Sequence, residues 1–244
     1  MLVLCLSVHS PVFKCMRELV VDMALRTDSL QVIDFGKMSY GEAWSRQKQL
    51  HQQVVEGLSS GFLIFVEHAS VITMGKHSSR ENLLLSDEDF NRKGVEIFQI
   101  DRGGEVTAHM PGQLVIYPIL NLRSGNLGPK KYVAMLESMI IRVLASYGIE
   151  AGLDSRDPGV WVDSQKVCAI GIRVKQRVTM HGIALNINNS LDLFQDVVPC
   201  GIKNKGVTTM SNLLGHNVVL DEVKAKILTC FAQVSPFTLQ ERLS

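Results

Sequence analysis

The chain has 244 residues, 46% of them hydrophobic and 20% charged, with a formal net charge of +1. That composition suits one well-packed globular domain and at most a small second one. Near-neutral, interspersed charge speaks against a nucleic-acid partner, and no run reaches the ~18 apolar residues of a membrane span, so no membrane association is expected.

Residues 1–29 read as an N-terminal extension of unknown role. The apolar stretch 2–8 is short and has no basic residue before it, and Glu18, Asp22 and Asp28 are out of place in a transit peptide. Regular structure is expected to begin with a strand at 31–35. Tyr40, Ala43, Trp44, Gln47, Leu50, Val54 and Leu58 then recur at helical spacing behind Ser39, a capping residue. Residues 62–66 (FLIFV) and 71–74 read as buried strands, with Gly75 ending the second. Ser86 starts a short helix to about Lys93, and 95–100 returns as strand. Residues 102–113 form a glycine-dense loop that leads into a strand at 114–120. Tyr132, Val133, Leu136, Ile140, Val143, Leu144 and Tyr147 share one face of a longer helix. Residues 160–162 and 166–174 look like the arms of a hairpin turned at 163–165, and 178–187 is a further strand. A helix at 210–214 precedes a last amphipathic helix carrying Leu220, Val223, Ile227 and Phe231. This order lacks the regular alternation of a doubly wound fold. The expected class is α/β (α+β): a mixed, largely antiparallel sheet flanked by helices, in a single catalytic domain over 30–235 with a tail at 236–244.

The five cysteines, Cys5, Cys15, Cys168, Cys200 and Cys230, are odd in number and form no C-x-x-C pair. A disulfide framework or structural zinc is not expected, and isolated thiols suit a reducing, cytoplasmic compartment. Four segments hold candidate chemistry. In the loop 102–113, paired glycines permit either a plain turn or close approach of a ligand to backbone, with Arg102 available for a carbonyl or phosphate and His109 for a proton. Lys166 opens an otherwise apolar strand, either as a surface lysine with a packed stem or as a cation aimed at a site. Cys168 on the same strand reads as a small buried hydrophobe. Cys200, held between Pro199 and Gly201, is the better nucleophile candidate, provided a nearby cation lowers its pKa from about 8.5. Lys166 is one source of that charge. His181 beside Gly182 is either a satisfied core histidine or a sign that a ligand approaches the strand.

Together the blocks EHASVITMGK (67–76), DRGGEVTAHMPGQLVIYPIL (101–120), GVWVDSQKVCAIGIRV (159–174), TMHGIALNIN (179–188) and VPCGIKNKGVTTM (198–210) resemble the lipoate-protein ligase B family, octanoyl-[acyl-carrier-protein]:protein N-octanoyltransferases. The resemblance covers about 31–215. It implies a biotin/lipoyl protein ligase fold and a ping-pong transfer in which acyl carrier protein delivers octanoate to Cys200 as a thioester. A lysine of a lipoyl domain, in a 2-oxoacid dehydrogenase or the glycine cleavage H protein, then attacks it. Cys200 and Lys166 would be a catalytic dyad supported by His181. The substrate pocket would be lined by Arg102, Gly103, Gly104, Glu105, Val106, Thr107, Ala108 and His109, by Ala169, Ile170 and Gly171, and by Gly182, Ile183 and Ala184. No ATP, metal or other cofactor is implied, and a monomer is expected. Two positions depart from the family pattern: Ala108, usually aromatic, and Met110, usually glycine. Both are expected to bear on the acyl pocket and so on chain length. The nearest rival is an ATP-dependent lipoate or biotin ligase of the same fold, which needs no nucleophilic cysteine. A non-catalytic lipoyl-domain binder and a cysteine hydrolase using His109 or His181 as base are more distant ones.

Overall fold

The computed structural model describes residues 29–154, 157–198 and 206–240. The main sheet runs β12 (Thr238–Leu239), β1 (Ser29–Lys37), β2 (Gly61–Glu67), β6 (Gln113–Leu120), β10 (Val178–Asn186), β9 (Gln165–Lys175), β8 (Asp157–Val162), β7 (Gly152–Asp154), with β11 (Gly206–Val207) also paired to β9. Pairing is antiparallel from β2 through to β7, while β12–β1, β1–β2 and β11–β9 are parallel. A second sheet of three strands, β4 (Glu96–Gln99), β3 (Val71–Met74) and β5 (Val106–His109), stands apart from it. The mixed, largely antiparallel class is therefore as the sequence suggested; the separate small sheet is not visible in it.

The helices are α1 (Tyr40–Val55), α2 (Asp87–Arg92), α3 (Pro129–Ala145), α4 (Asp192–Gln195), α5 (Met210–Leu214) and α6 (Leu220–Val234). Ser39 caps α1 and Ser86 caps α2 through side-chain oxygens that accept N–H bonds from Glu42 and Asp89. Pro129 opens α3, where its missing N–H costs nothing. Leu58, grouped with the first helix by spacing, lies beyond its end and is 74% exposed.

The run FLIFV is buried throughout because the sheet is covered on both faces. Leu63 and Phe65 join the core under α3 and α6, together with Leu136, Ile140, Ile227 and Phe231. Phe62, Ile64 and Val66 join a second core under α1 with Val54, Val115 and Tyr117. The small sheet has its own core of Ile72, Phe90, Val95, Ala108 and Leu193 among others. Residues 236–240 are not a tail outside the domain: Phe237 is buried in the main core and Thr238–Leu239 pairs with β1. Among the described residues, no helix is long and apolar enough to cross a membrane.

Candidate active site

A cavity of about 260 Å³ lies against the main sheet. Its floor is β6, β10 and β9. The segment 102–107 and His109, from the small sheet, form one wall, and Asp157, Pro158 and Trp161 of β8 form another. Tyr40, Val133, Phe194, Gly206 and Val207 complete it. Most of the wall is apolar, with a few convergent polar groups, which is the usual make-up of a small-molecule site.

The segment 102–113, read as one loop, contains strand β5. Alternation along that strand turns Thr107 and His109 to the cavity and Ala108 into the small-sheet core, opposite Ile72. Ala108 is fully buried there and Met110 packs beside it, its sulfur accepting from Asn189 Nδ2 at 3.3 Å. Neither residue lines the cavity wall, so the two departures lie behind it. Arg102, Gly103, Gly104, Glu105, Val106 and Thr107 all reach the cavity. The Arg102 guanidinium is buried and donates to Thr73 O (2.7 Å), Thr73 Oγ1 (3.1 Å) and Gly103 O (3.0 Å), fastening the glycine segment to β3. Gly103 N–H donates to Ile172 O, which ties the same segment to β9.

Two glycines make that approach feasible. Gly171 of β9 and Gly182 of β10 sit opposite one another. A Cβ on Gly171 would lie 2.8 Å from Arg102 Cδ, and one on Gly182 would lie 2.2 Å from Ile116 O. Ala169, Ile170, Ile183 and Ala184 line the floor on either side of this pair.

The histidine wall has a defined proton arrangement. Gln113 Nε2 donates to Ala108 O and Asn186 Oδ1, so its Oε1 accepts, and His109 Nδ1–H donates to it at 2.7 Å. Burial pushes His109 down to about 3, which keeps it neutral. His68 Nδ1–H donates to Met38 O and its Nε2 accepts from Tyr117 O–H, both at 2.8 Å. Tyr40 stacks on His109 at 6.0 Å between ring centroids, and burial pushes the phenols of Tyr40 and Tyr117 up, so both stay neutral. His181 is buried with φ of +59°, a strained conformation inside a strand. Its Nε2 faces Asp101 Oδ1 at 2.9 Å, and Asp101 also pairs with Arg173. Desolvation lowers the His181 pKa, opposed by Asp101.

Lys166 projects into the cavity, not to the surface. Its Nζ donates to Asp157 Oδ2 at 2.7 Å and lies 4.8 Å from the centre of the Trp161 ring. A β-bulge places it there: Val160 pairs with Cys168 but Trp161 with Lys166, leaving Val167 as the extra residue on β9. The bulge lets Val167 and Cys168, adjacent in sequence, both enter the main core while Lys166 faces the cavity. Cys168 is fully buried, and desolvation pushes its thiol well up, as expected of a packing residue. Cys230 is also buried with its thiol pushed up. Cys200, the nucleophile candidate, lies outside the described residues, as do Cys5, Cys15 and the extension at 1–28. The chain is described up to Val198 and again from Gly206, where β11 pairs with Gln165 and Lys166 and Thr208 N–H donates to Lys166 O. Asp157, Trp161, Tyr40 and Tyr117 line the cavity without having been singled out as site residues from the sequence, whereas Gln113 closes the 102–113 segment that was.

Residues 39–232 match the family described as lipoyl protein ligase A/B catalytic domain. A protein of Bacteroides thetaiotaomicron named octanoyltransferase is 44% identical, the match covering 80% of this chain and 91% of that one. An octanoyltransferase of Alkaliphilus metalliredigens is 40% identical over 87% of this chain and 98% of its own. Among solved structures, lipoate-protein ligase A bound with ATP superposes with a TM-score of 0.70 at 13% identity, covering 87% of this chain and 88% of that one. A putative lipoate protein ligase of T. acidophilum with bound lipoic acid gives 0.66 at 14% identity, covering 84% and 86%. At such identities these two establish a common fold.

Proposed function

The chain belongs to the lipoyl protein ligase A/B catalytic domain family, and from that membership we propose that it transfers octanoyl from acyl carrier protein to the lysine of a lipoyl domain. The named octanoyltransferases it resembles at 40–44% identity support the acyl group, and the description of the family supports a lipoyl protein as acceptor. The observation that carries the reading is the position of Lys166: a half-buried lysine aimed into a largely apolar cavity, on the strand with which the chain pairs again at Gly206 and Val207.

The chemistry follows from the groups available. Cys200 as thiolate, paired with the Lys166 ammonium, attacks the octanoyl thioester carbonyl. The carrier thiolate leaves and takes a proton from Lys166. A neutral lipoyl-domain amine then attacks the Cys200 thioester, its N–H proton passes to Lys166, and the Cys200 thiolate leaves. The pair is restored and the octanoyl group has moved from sulfur to nitrogen. Exchange of one thioester for another is close to thermoneutral and amide formation is downhill, so no ATP is required. The apolar floor around Ala169, Ile170, Ile183 and Ala184 suits an alkyl chain. Acceptors would be lipoyl domains of 2-oxoacid dehydrogenases and the glycine cleavage H protein, and the isolated thiols suit a cytoplasmic, reducing setting.

The test is intact-mass analysis of the protein incubated with octanoyl-acyl carrier protein without ATP. One octanoyl adduct is expected, absent in Cys200→Ala. An adduct that survives this substitution, or one that forms only with ATP, contradicts the proposal.

A further inference from the structure

We propose that Asp157 is a positioning residue for the reaction: its carboxylate pins the Lys166 ammonium to the cavity wall, so that Lys166 meets the reacting sulfur as a fixed cation. This rests on the reading of Lys166 and Cys200 as the reacting pair.

The geometry is specific. Asp157, Gly159 and Trp161 alternate along one face of β8. Lys166 is opposite Trp161, not Asp157, so cross-strand pairing alone does not bring the two charges together. The lysine stem instead runs back across Gly159, whose Cβ, if present, would sit 3.4 Å from Lys166 Cε and 3.5 Å from Cδ. At the end of that path Nζ meets Asp157 Oδ2 at 2.7 Å. The Trp161 indole, under the ammonium, is itself held by Nε1–H donating to Asp157 O at 3.2 Å. One residue thus fixes both the cation and the ring it rests on. The two charged side chains are 14% and 10% exposed. A charge-assisted bond in such a setting is short and directional, whereas a lysine without it regains its rotamer freedom by turning to water.

Among the described residues, few other titratable groups face this pair. Glu137 of α3 accepts from Gly159 N–H at 3.2 Å, and the Cys168 thiol lies on the core side of β9. From β11 the neighbours are Gly206 and Val207, which are neutral.

The experiment follows the pH dependence of Cys200 alkylation by iodoacetamide, read by intact mass on the full chain, in the wild type, Lys166→Ala, Asp157→Ala and Asp157→Glu. Asp157→Ala is expected to move the thiol profile up by about one pH unit, as loss of a nearby cation does, and Asp157→Glu to bring it back toward wild type. Should the alanine variant not fold, Asp157→Ser, which leaves room for water beside the ammonium, takes its place. An Asp157→Ala profile that overlays the wild type or moves down overturns the proposal, as does a glutamate profile no nearer wild type than the alanine one. If Lys166→Ala itself leaves the profile unmoved, the pairing of Lys166 with Cys200 fails, whatever Asp157 does.

Discussion

His109 and His181 line the cavity and His68 packs edge-on against His109, and burial more than any partner decides the charge of all three. All three pKa values are depressed, His109 to about 3. As pH falls below about 6.5 the unfolded chain takes up protons that these folded side chains refuse, so stability falls with pH. At about 1.4 kcal/mol per pH unit, His109 alone accounts for a loss of roughly 2 kcal/mol between pH 6.5 and 5. Urea unfolding at pH 7 and pH 5 checks this: the midpoint should drop at pH 5, and drop less in His109→Gln. A midpoint that rises on acidification would mean that a histidine gains a proton in the folded state. The neutral state also bears on chemistry. His109, whose Nδ1–H is tied to Gln113, serves as a fixed hydrogen-bond partner in the wall, which disfavours it as the base of a cysteine hydrolase. Their glycine-rich surroundings made His109 and His181 candidates, and the family resemblance is what assigned them to the site. Their protonation was not legible, because it depends on Gln113, Asn186 and Asp101, two of which arrive from other strands.

At the scale of elements, the site is built where β9 and β10 lose their side chains. Gly171 and Gly182 face each other, yet a methyl group would meet different things at the two positions. At Gly182 it meets the carbonyl of Ile116, a backbone atom with no freedom to retreat. Gly182→Ala should therefore cost about 1–3 kcal/mol of stability through overpacking. At Gly171 it meets Arg102 Cδ at 2.8 Å and, less closely, Gly103 O at 3.3 Å, so the strain falls on the glycine segment and not on the strands of the sheet. Gly171→Ala should fold with a melting temperature close to wild type while kcat/KM for octanoyl transfer falls about 10-fold, equivalent to ~1.4 kcal/mol of transition-state binding. Melting curves and initial rates on both variants read the contrast, and equal melting losses would contradict it. Helices α1, α2, α3 and α6 were legible because capping and apolar spacing are local signals. The β5 strand was missed because Gly103, Gly104 and Pro111 on either side of it read as loop. The bulge at Val167 left no local mark, since Lys166-Val-Cys-Ala alternates acceptably in either register.

At the scale of the molecule, two sheets meet at one cavity. The large sheet supplies the apolar floor and the lysine; the small one supplies the glycine segment and a histidine. That division accounts for what sequence order alone conveys. Motifs separated by some sixty residues, such as Arg102–His109 and the strand that carries Lys166, belong together only once the main sheet places β6 beside β10 and β10 beside β9. The parallel pairing of β12 with β1 likewise brings the far end of the chain to the sheet edge, a contact that no local pattern at 238–239 announces. In the proposed ping-pong transfer the octanoyl-enzyme is an intermediate on the path to the lipoyl lysine. Its most direct test is a chase: octanoyl-enzyme freed of carrier protein is mixed with a lipoyl domain, ATP omitted, and both proteins are weighed over time. The adduct is expected to leave the enzyme as one octanoyl group appears on the lipoyl-domain lysine. An adduct that stays on the enzyme, or departs only as free octanoate, would contradict it.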